Sequence, residues 1–143
     1  MPQQIEDRIQ QARDQLSQVL RLLEEARGDI GILDIRSASI RSAFERLRRV
    51  ESELWMVKRQ LNHARVDRFV LYEIQDILVN PTSDASLPNV LASLRTISRL
   101  LTSQDSSMHD RVDSDIERVV LPGISQIQAR IEQIANRLAS SSR

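Results

Sequence analysis

The chain has 143 residues, a length that suits one domain of ordinary size. Its 20 basic residues balance 20 acidic residues, so no overall electric field draws it to nucleic acid or to an anionic membrane. Apolar residues make up 41% of the chain, too many for a generically disordered polypeptide, and the absence of cysteine excludes disulfides, thiolate metal sites and cysteine nucleophiles. Four aromatic residues and three glycines favour helices over a β-sandwich.

The first segment predicts an amphipathic helix. Its apolar residues recur at alternating spacings of four and three, a repeat that keeps one face of a helix turned toward a partner helix. These seam residues are Ile5, Ile9, Ala12, Leu16, Val19, Leu23 and Ala26. Pro2 suits the first turn of this helix, and Gly28 can adopt the left-handed conformation just after its last turn.

The second segment repeats the pattern over a greater length. Its seam residues are Ile40, Ala43, Leu47, Val50, Leu54, Val57, Leu61 and Ala64. Because no helix breaker lies between residues 39 and 79, we predict one continuous rod of about 40 residues, roughly 60 Å long. A bend within residues 63–67 is the alternative, since the seam position that follows Ala64 is occupied by Arg68.

Polar connections divide the rest of the chain. Residues 80–86 have the residue types of a turn, and a shorter helix follows with Pro88 near its start. After the polar residues 103–107, a last helix is predicted from about residue 108 to residue 139. Its apolar positions are Val112, Ile116, Val119, Val120, Ile124, Ile127, Ile131, Ile134 and Leu138. Pro122 cannot donate a backbone hydrogen bond and would clash one turn back, so this helix is either kinked or broken there.

Together these segments predict an all-α fold. We expect an antiparallel helical bundle of four helices, or five if the last one is broken, with one long central helix and coiled-coil-like heptad packing. The bundle forms a single domain over residues 1–139, and residues 140–143 form a frayed tail. The longest apolar runs have about four residues where a membrane-spanning helix needs roughly 20, and the N-terminus does not match a secretory signal, so the expected location is the cytoplasm.

The sequence contains no recognised catalytic motif. It lacks a glycine-rich phosphate loop, a nucleophile elbow and a His-Glu-x-x-His pair, so we expect no enzymatic activity, no catalytic residue and no cofactor. His109, Asp113 and Glu117 lie along one ridge of a helix and could hold a divalent cation. Acidic residues near a helix N-terminus are more often solvated, so no metal site is predicted, and His63 is interpreted as a surface residue.

Charge is distributed unevenly along the chain. Residues 36–68 carry nine basic and four acidic residues, whereas residues 1–35 carry four and seven, and residues 69–143 carry seven and nine. The basic residues of the middle segment are Arg36, Arg41, Arg46, Arg48, Arg49, Lys58, Arg59, Arg65 and Arg68. We interpret them as a solvated face that complements acidic neighbours within the bundle. The alternative is a binding site for an acidic protein or a phosphate backbone, although no nucleic-acid-binding motif supports the latter.

The long helix also has a second apolar face. Trp55 lies about 100° away from the centre of the seam, and Val66, Phe69 and Val70 lie on nearly the same side of the helix as Trp55. A helix that is apolar on two sides needs two neighbours, and we expect later helices of the same chain to cover this face. The alternative is that Trp55, Met56 and Phe69 anchor a protein interface, where aromatic residues are enriched.

These patterns predict a non-enzymatic structural or assembly protein that self-associates, or binds protein partners, through its helix seams. The mismatch in helix lengths leaves surplus seam that a homodimer or a higher homo-oligomer would bury. The alternative is a monomeric adaptor that presents its basic stripe or the face around Trp55 to another protein. The candidate interface residues are Trp55, Met56, Val66, Phe69, Arg48, Arg49 and Arg59.

Overall fold

The structure is a computed structural model that describes residues 3–27, 33–63, 68–103 and 106–141. Its helices are α1 (Gln3–Ala26), α2 (Leu33–Asn62), α3 (Arg68–Val79), α4 (Leu87–Leu101), α5 (Ser106–Asp115) and α6 (Leu121–Ser141), with a π-helical segment (Ile116–Val120) that joins the last two. The described residues contain no strand. Because the helices pack against one another, the predicted all-α helical bundle is confirmed.

Helices α1 and α2 form an antiparallel hairpin. Arg8 pairs with Glu53 at 3.1 Å and Arg46 donates to Gln15 at 3.0 Å, so residue numbers rise along one helix as they fall along the other. All seven predicted seam residues of α1 are at most 2% exposed, and those of α2 from Ile40 to Leu61 are at most 1% exposed. Each buried Leu or Ile contributes about 1.5–3 kcal/mol relative to an exposed one, so the two seams account for much of the stability of this hairpin.

The predicted continuous rod is wrong. Helix α2 ends at Asn62 with a turn residue at His63, and a separate helix, α3, begins at Arg68. A helix that continued would place the Arg68 side chain in the apolar seam, which is costly for a charged group. The bend was expected at the right place, but Ala64 and Val66 in the connection lie outside the described residues.

Helix α3 packs against α2, α4 and α6 and completes the core. Its buried residues are Val70, Ile74, Ile77 and Leu78. Helix α4 begins after Ser86, whose hydroxyl accepts a hydrogen bond from the backbone N–H of Asn89 at 3.3 Å and so caps the helix N-terminus. The predicted turn over residues 80–86 is therefore confirmed.

The helix around Pro122 is neither broken nor fully regular. Asp115 and Leu121 both have α-helical backbone angles, and the Leu121 N–H donates to the carbonyl of Ile116, five residues earlier. This wider π turn comes directly before Pro122, which has no N–H to donate to a carbonyl four residues back. The π turn also determines which of two neighbouring valines faces the core. Val120 is fully buried, whereas Val119 is 45% exposed.

The seams of the bundle are covered within one chain. From α1 to α6, the apolar seam residues that the structure describes are at most 3% exposed, apart from Val119 beside the π turn. The expectation of surplus seam came from the 40-residue rod, and it fails because that rod is two helices that pack separately. Within the described ranges, no helix combines the length and the apolar character that crossing a membrane requires.

Candidate interaction surface

The exposed aromatic residues lie on α2 and α3. Trp55 is 42% exposed and Met56 is 40% exposed, so the expectation that later helices cover this face is wrong for these two residues. Phe69 is 43% exposed, but the Arg137 guanidinium of α6 lies 4.2 Å from the centre of its ring, so a later helix covers it in part. Val70 from the same predicted face is 1% exposed and belongs to the core, while Val66 lies outside the described residues. The second apolar face is thus divided between core and surface.

The Trp55 face, as we call it, consists of Arg48, Ser52, Trp55, Met56 and Arg59 on α2. Spacings of seven and four place Arg48, Trp55 and Arg59 along one side of the helix, and all five side chains are exposed. This side is about 17 Å long at 1.5 Å per residue. It combines a large aromatic ring with guanidinium groups, the two side-chain types that are most enriched among energetically important interface residues.

Contacts within the hairpin hold the Trp55 face in place. The Lys58 ammonium lies 5.1 Å from the centre of the Trp55 ring, and Arg8 of α1 lies 3.3 Å from the Met56 sulfur. Arg48 is partly neutralised, since it pairs with Glu51 at 2.8 Å.

Arg59 and the neighbouring Arg49 keep this side of α2 basic. Among the described residues, Arg49 and Arg59 have no carboxylate partner within ion-pair distance. The predicted solvated stripe is therefore only partly neutralised inside the bundle.

A second surface, missed in the sequence, is an open groove between α2 and α4. Its volume is about 500 Å³, and Ile40, Phe44 and Leu94 form its apolar floor. Ile40 and Leu94 are core residues, whereas Phe44 is half-buried. The remaining lining residues are Arg41, Arg95, Ser98 and Arg99, so none of the described residues that line this groove is acidic. We call it the α2/α4 groove.

The arginines of the α2/α4 groove lie on both of its sides. Arg41 is on α2, and Arg95 and Arg99 are one turn apart on α4. In the described part of the chain none of the three has a carboxylate within 4.0 Å. The Arg95 guanidinium lies 5.3 Å from the centre of the Phe44 ring, which holds it against the groove.

The acidic ridge on α5 forms ion pairs instead of converging on a cation. Arg36, which is 2% exposed, donates to the Ala26 carbonyl at 2.9 Å and also pairs with Asp113. Glu117 lies 4.0 Å from Arg27. Among the residues whose placement the structure describes, no three His, Asp or Glu side chains are grouped to hold a metal, and the side chain of His109 lies outside them.

A charged network joins α3 to α6. Arg130 pairs with Glu73 and, at 2.9 Å, with Asp76. Hydrogen bonds from the side chains of Asn80 and Ser83, together with the charge of Arg130, hold the pKa of the Asp76 carboxyl below its ordinary value. The hydrogen bond to Glu73 raises the pKa of Arg130. These groups satisfy one another, so we interpret the network as a structural link between α3 and α6.

Comparisons with protein-family models, with curated proteins and with solved structures found no match to this chain. The fold and its surfaces define a helical bundle that has an exposed aromatic and basic face on α2 and an arginine-lined groove beside α4.

Proposed function

We propose that the protein is a non-enzymatic, monomeric adaptor of the cytoplasm that binds an acidic protein partner through the Trp55 face. One observation carries this proposal: the chain buries its own seams, yet Trp55 and Met56 remain about two-fifths exposed beside arginines. Burying the large Trp55 ring against a partner removes apolar surface from water, which favours binding. The arginines beside it can pair with carboxylates, so the face suits an acidic protein surface.

Self-association through the same face is the second candidate. A symmetric dimer brings a surface against its own copy, so it would place Arg48, Arg49 and Arg59 of one chain near the same residues of the other. Like charges that meet across an interface oppose association, and this favours the adaptor. Light scattering at micromolar concentration should therefore give a mass near 16.4 kDa, and a mass of twice that value would favour an assembly protein.

The binding proposal is tested by site-specific cross-linking. A photoreactive phenylalanine derivative is placed at position 55, and a matched control carries it at Gln133, an exposed polar position on α6. In a lysate of the native cells, we expect one acidic protein to be cross-linked at position 55 and not at position 133. Charge reversal of Arg49 and Arg59 to Glu should abolish that product. Equal cross-linking at both positions, or a product that survives the charge reversal, would contradict the proposal.

A fluorescence measurement complements the cross-linking. Trp55 is the single tryptophan of the chain, so its emission reports on this face alone. With the purified cross-linked partner, we expect the Trp55 emission to shift to shorter wavelength as the ring loses water. Trp55→Ala should keep the far-UV circular dichroism of the wild type and weaken binding by about tenfold or more. Unfolding of this variant would mean that Trp55 is needed for the fold.

A further inference from the structure

The α2/α4 groove has the construction of a binding site that is separate from the Trp55 face. Its floor consists of core residues, Ile40 and Leu94, with the Phe44 ring beside them. A volume of about 500 Å³ is within the range of sites that take several side chains or one small molecule. Phe44 is 11 positions before Trp55, which is about 17 Å along the helix, so an occupant of the groove need not touch Trp55.

The charge around the groove specifies an anionic occupant. Arg41 lies on one side of the groove, and Arg95 and Arg99 lie on the other. Among the residues whose placement is described, no carboxylate lines the space between them. Like charges that share a groove repel one another, and an anion placed there relieves that repulsion. By contrast, the buried or half-buried arginines Arg36 and Arg130 are paired within the bundle.

The orientation of Arg95 matches carboxylate recognition. Its guanidinium rests 5.3 Å from the centre of the Phe44 ring. A guanidinium that stacks on a ring keeps the N–H groups at its edge available, and these can donate two parallel hydrogen bonds to one carboxylate. Stacking also restricts the side chain before binding, which lowers the entropy lost when the carboxylate pairs with it.

We infer that the α2/α4 groove binds an acidic amphipathic helix of a partner protein, with apolar side chains on the Phe44 floor and carboxylates on Arg41, Arg95 and Arg99. The groove runs between two helices and is open to solvent, which suits a helix laid along it. Arg95 and Arg99 are one turn apart, so two acidic residues one turn apart on a helix alongside α4 would meet both. This inference does not rest on the Trp55 face.

The test uses a synthetic helical peptide with leucines at positions i, i+3, i+4 and i+7 and glutamates one turn apart beside them, carrying a fluorescent label. Anisotropy titrations of the full chain measure its Kd. Two comparison peptides have the same leucines with lysine in place of glutamate, or the same composition in scrambled order. We expect the acidic amphipathic peptide to bind at least about tenfold more tightly than either comparison peptide.

Variants of the chain locate the binding. Arg95→Glu with Arg99→Glu should weaken binding of the acidic peptide by about tenfold or more. The matched control, Arg21→Glu with Arg118→Glu, changes the net charge equally at two exposed arginines outside the groove and should alter the Kd by less than about threefold. Ser98→Trp fills the groove without changing its charge and should also abolish binding. In the chains that keep Trp55 as their single tryptophan, its emission should stay unchanged when the peptide binds, which separates this result from that of the proposed function.

Four outcomes would overturn the inference. The first is no detectable binding of the acidic peptide at millimolar concentration. The second is an equal loss of affinity in the control variant, which would indicate only general electrostatic attraction. The third is binding that Ser98→Trp leaves intact. The fourth is that a free fatty acid such as decanoate binds to the wild type and not to Ser98→Trp, while the acidic peptide does not displace it. That result would assign the groove to a small amphiphile.

Discussion

Gly123 is a residue at which α6 comes close to α4. A Cβ atom added there would lie 2.6 Å from the Val90 Cγ2, a separation that real Cβ atoms do not show. In an ordinary helix interior, replacing Gly with Ala stabilises by about 1 kcal/mol. Here we expect Gly123→Ala to lower the free energy of unfolding by about 1–3 kcal/mol, because the Val90 methyl group must move within a packed core.

Urea denaturation measures this effect, and a double-mutant cycle assigns its cause. Val90→Ala alone loses buried apolar surface, but combined with Gly123→Ala it removes the clash. The double variant should therefore be more stable than the sum of the two single losses predicts, by about 1 kcal/mol or more. Ser125→Ala, an exposed change on the same helix, should remain within about 0.5 kcal/mol of the wild type. Strictly additive losses would show that the close approach is not the cause.

Single residues also define what the sequence could predict. The seams of α1 and α2 were predictable position by position, because heptad spacing directly determines which side chains face a partner helix. The exposure of Trp55 was not, since an aromatic residue beside a seam suits a third helix as well as an interface. The predicted solvated stripe includes Arg36, but this side chain is buried against the last turn of α1, a contact that spacing within α2 does not determine.

At the scale of elements, the network that joins α3 to α6 should make stability depend on pH. The folded-state pKa of Asp76 is lowered, so its carboxylate stabilises the fold above the pKa of the unfolded chain, about 3.9. That contribution is lost as the pH falls through the lower folded-state value. We therefore expect the wild type to lose stability as the pH falls below about 4, and Asp76→Asn to lose less over the same interval.

Thermal melts at each pH test this expectation. The control is Asp84→Asn, which removes an exposed carboxylate from the loop that follows α3, and it should follow the acid dependence of the wild type. At neutral pH, Asp76→Asn should melt at a lower temperature than the wild type because Arg130 loses one of its two partners. If Asp76→Asn and the wild type lose stability in parallel below about pH 4, the network does not carry the acid dependence.

The spacing of the apolar residues before and after the π turn indicates its position in the sequence. Val112, Ile116, Val120 and Ile124 are all buried and follow one another at three successive spacings of four, which on a regular α-helix would carry the seam around the helix. A π turn takes more residues per turn and keeps these side chains on one face. Deleting Val119 restores the alternation of four and three.

We therefore expect the combination of a Val119 deletion with Pro122→Ala to fold into the same bundle with a regular helix. The substitution is needed because proline inside a regular α-helix costs about 3 kcal/mol. Far-UV circular dichroism and cooperative urea unfolding should show a native-like protein. Deleting Gln126 instead should unfold it, since this rotates Ile127, Ile131 and Ile134 by about 100° out of the core. Equal damage by both deletions would contradict the assignment of the π turn as an inserted residue.

At the scale of the whole molecule, the α2/α4 groove is the feature that sequence patterns miss. It depends on how α4 lies against α2, and heptad spacing states which face of a helix is buried but not which helix covers it. Phe44 lies one turn after Ile40, and Arg95 and Arg99 also lie one turn apart, yet nothing in the order of residues brings these pairs together. Fold class was predictable, whereas surfaces made by distant segments were not.

The same packing leads to an expectation about cooperativity. Helix α1 contacts both α2 and α6, and α2 contacts α4, so the α1–α2 hairpin is bound to the rest of the bundle along more than one element. The single-domain prediction for residues 1–139 then requires one unfolding transition. Circular dichroism at 222 nm reports on all helices, and Trp55 emission reports on the hairpin alone, so the two urea curves should coincide within error.

Arg13→Glu would repel Glu132 where α1 meets α6, and it should shift both curves together to lower urea. If Trp55 emission changed in a separate transition, the hairpin would be an independent folding unit, and its Trp55 face could then bind a partner without the rest of the bundle.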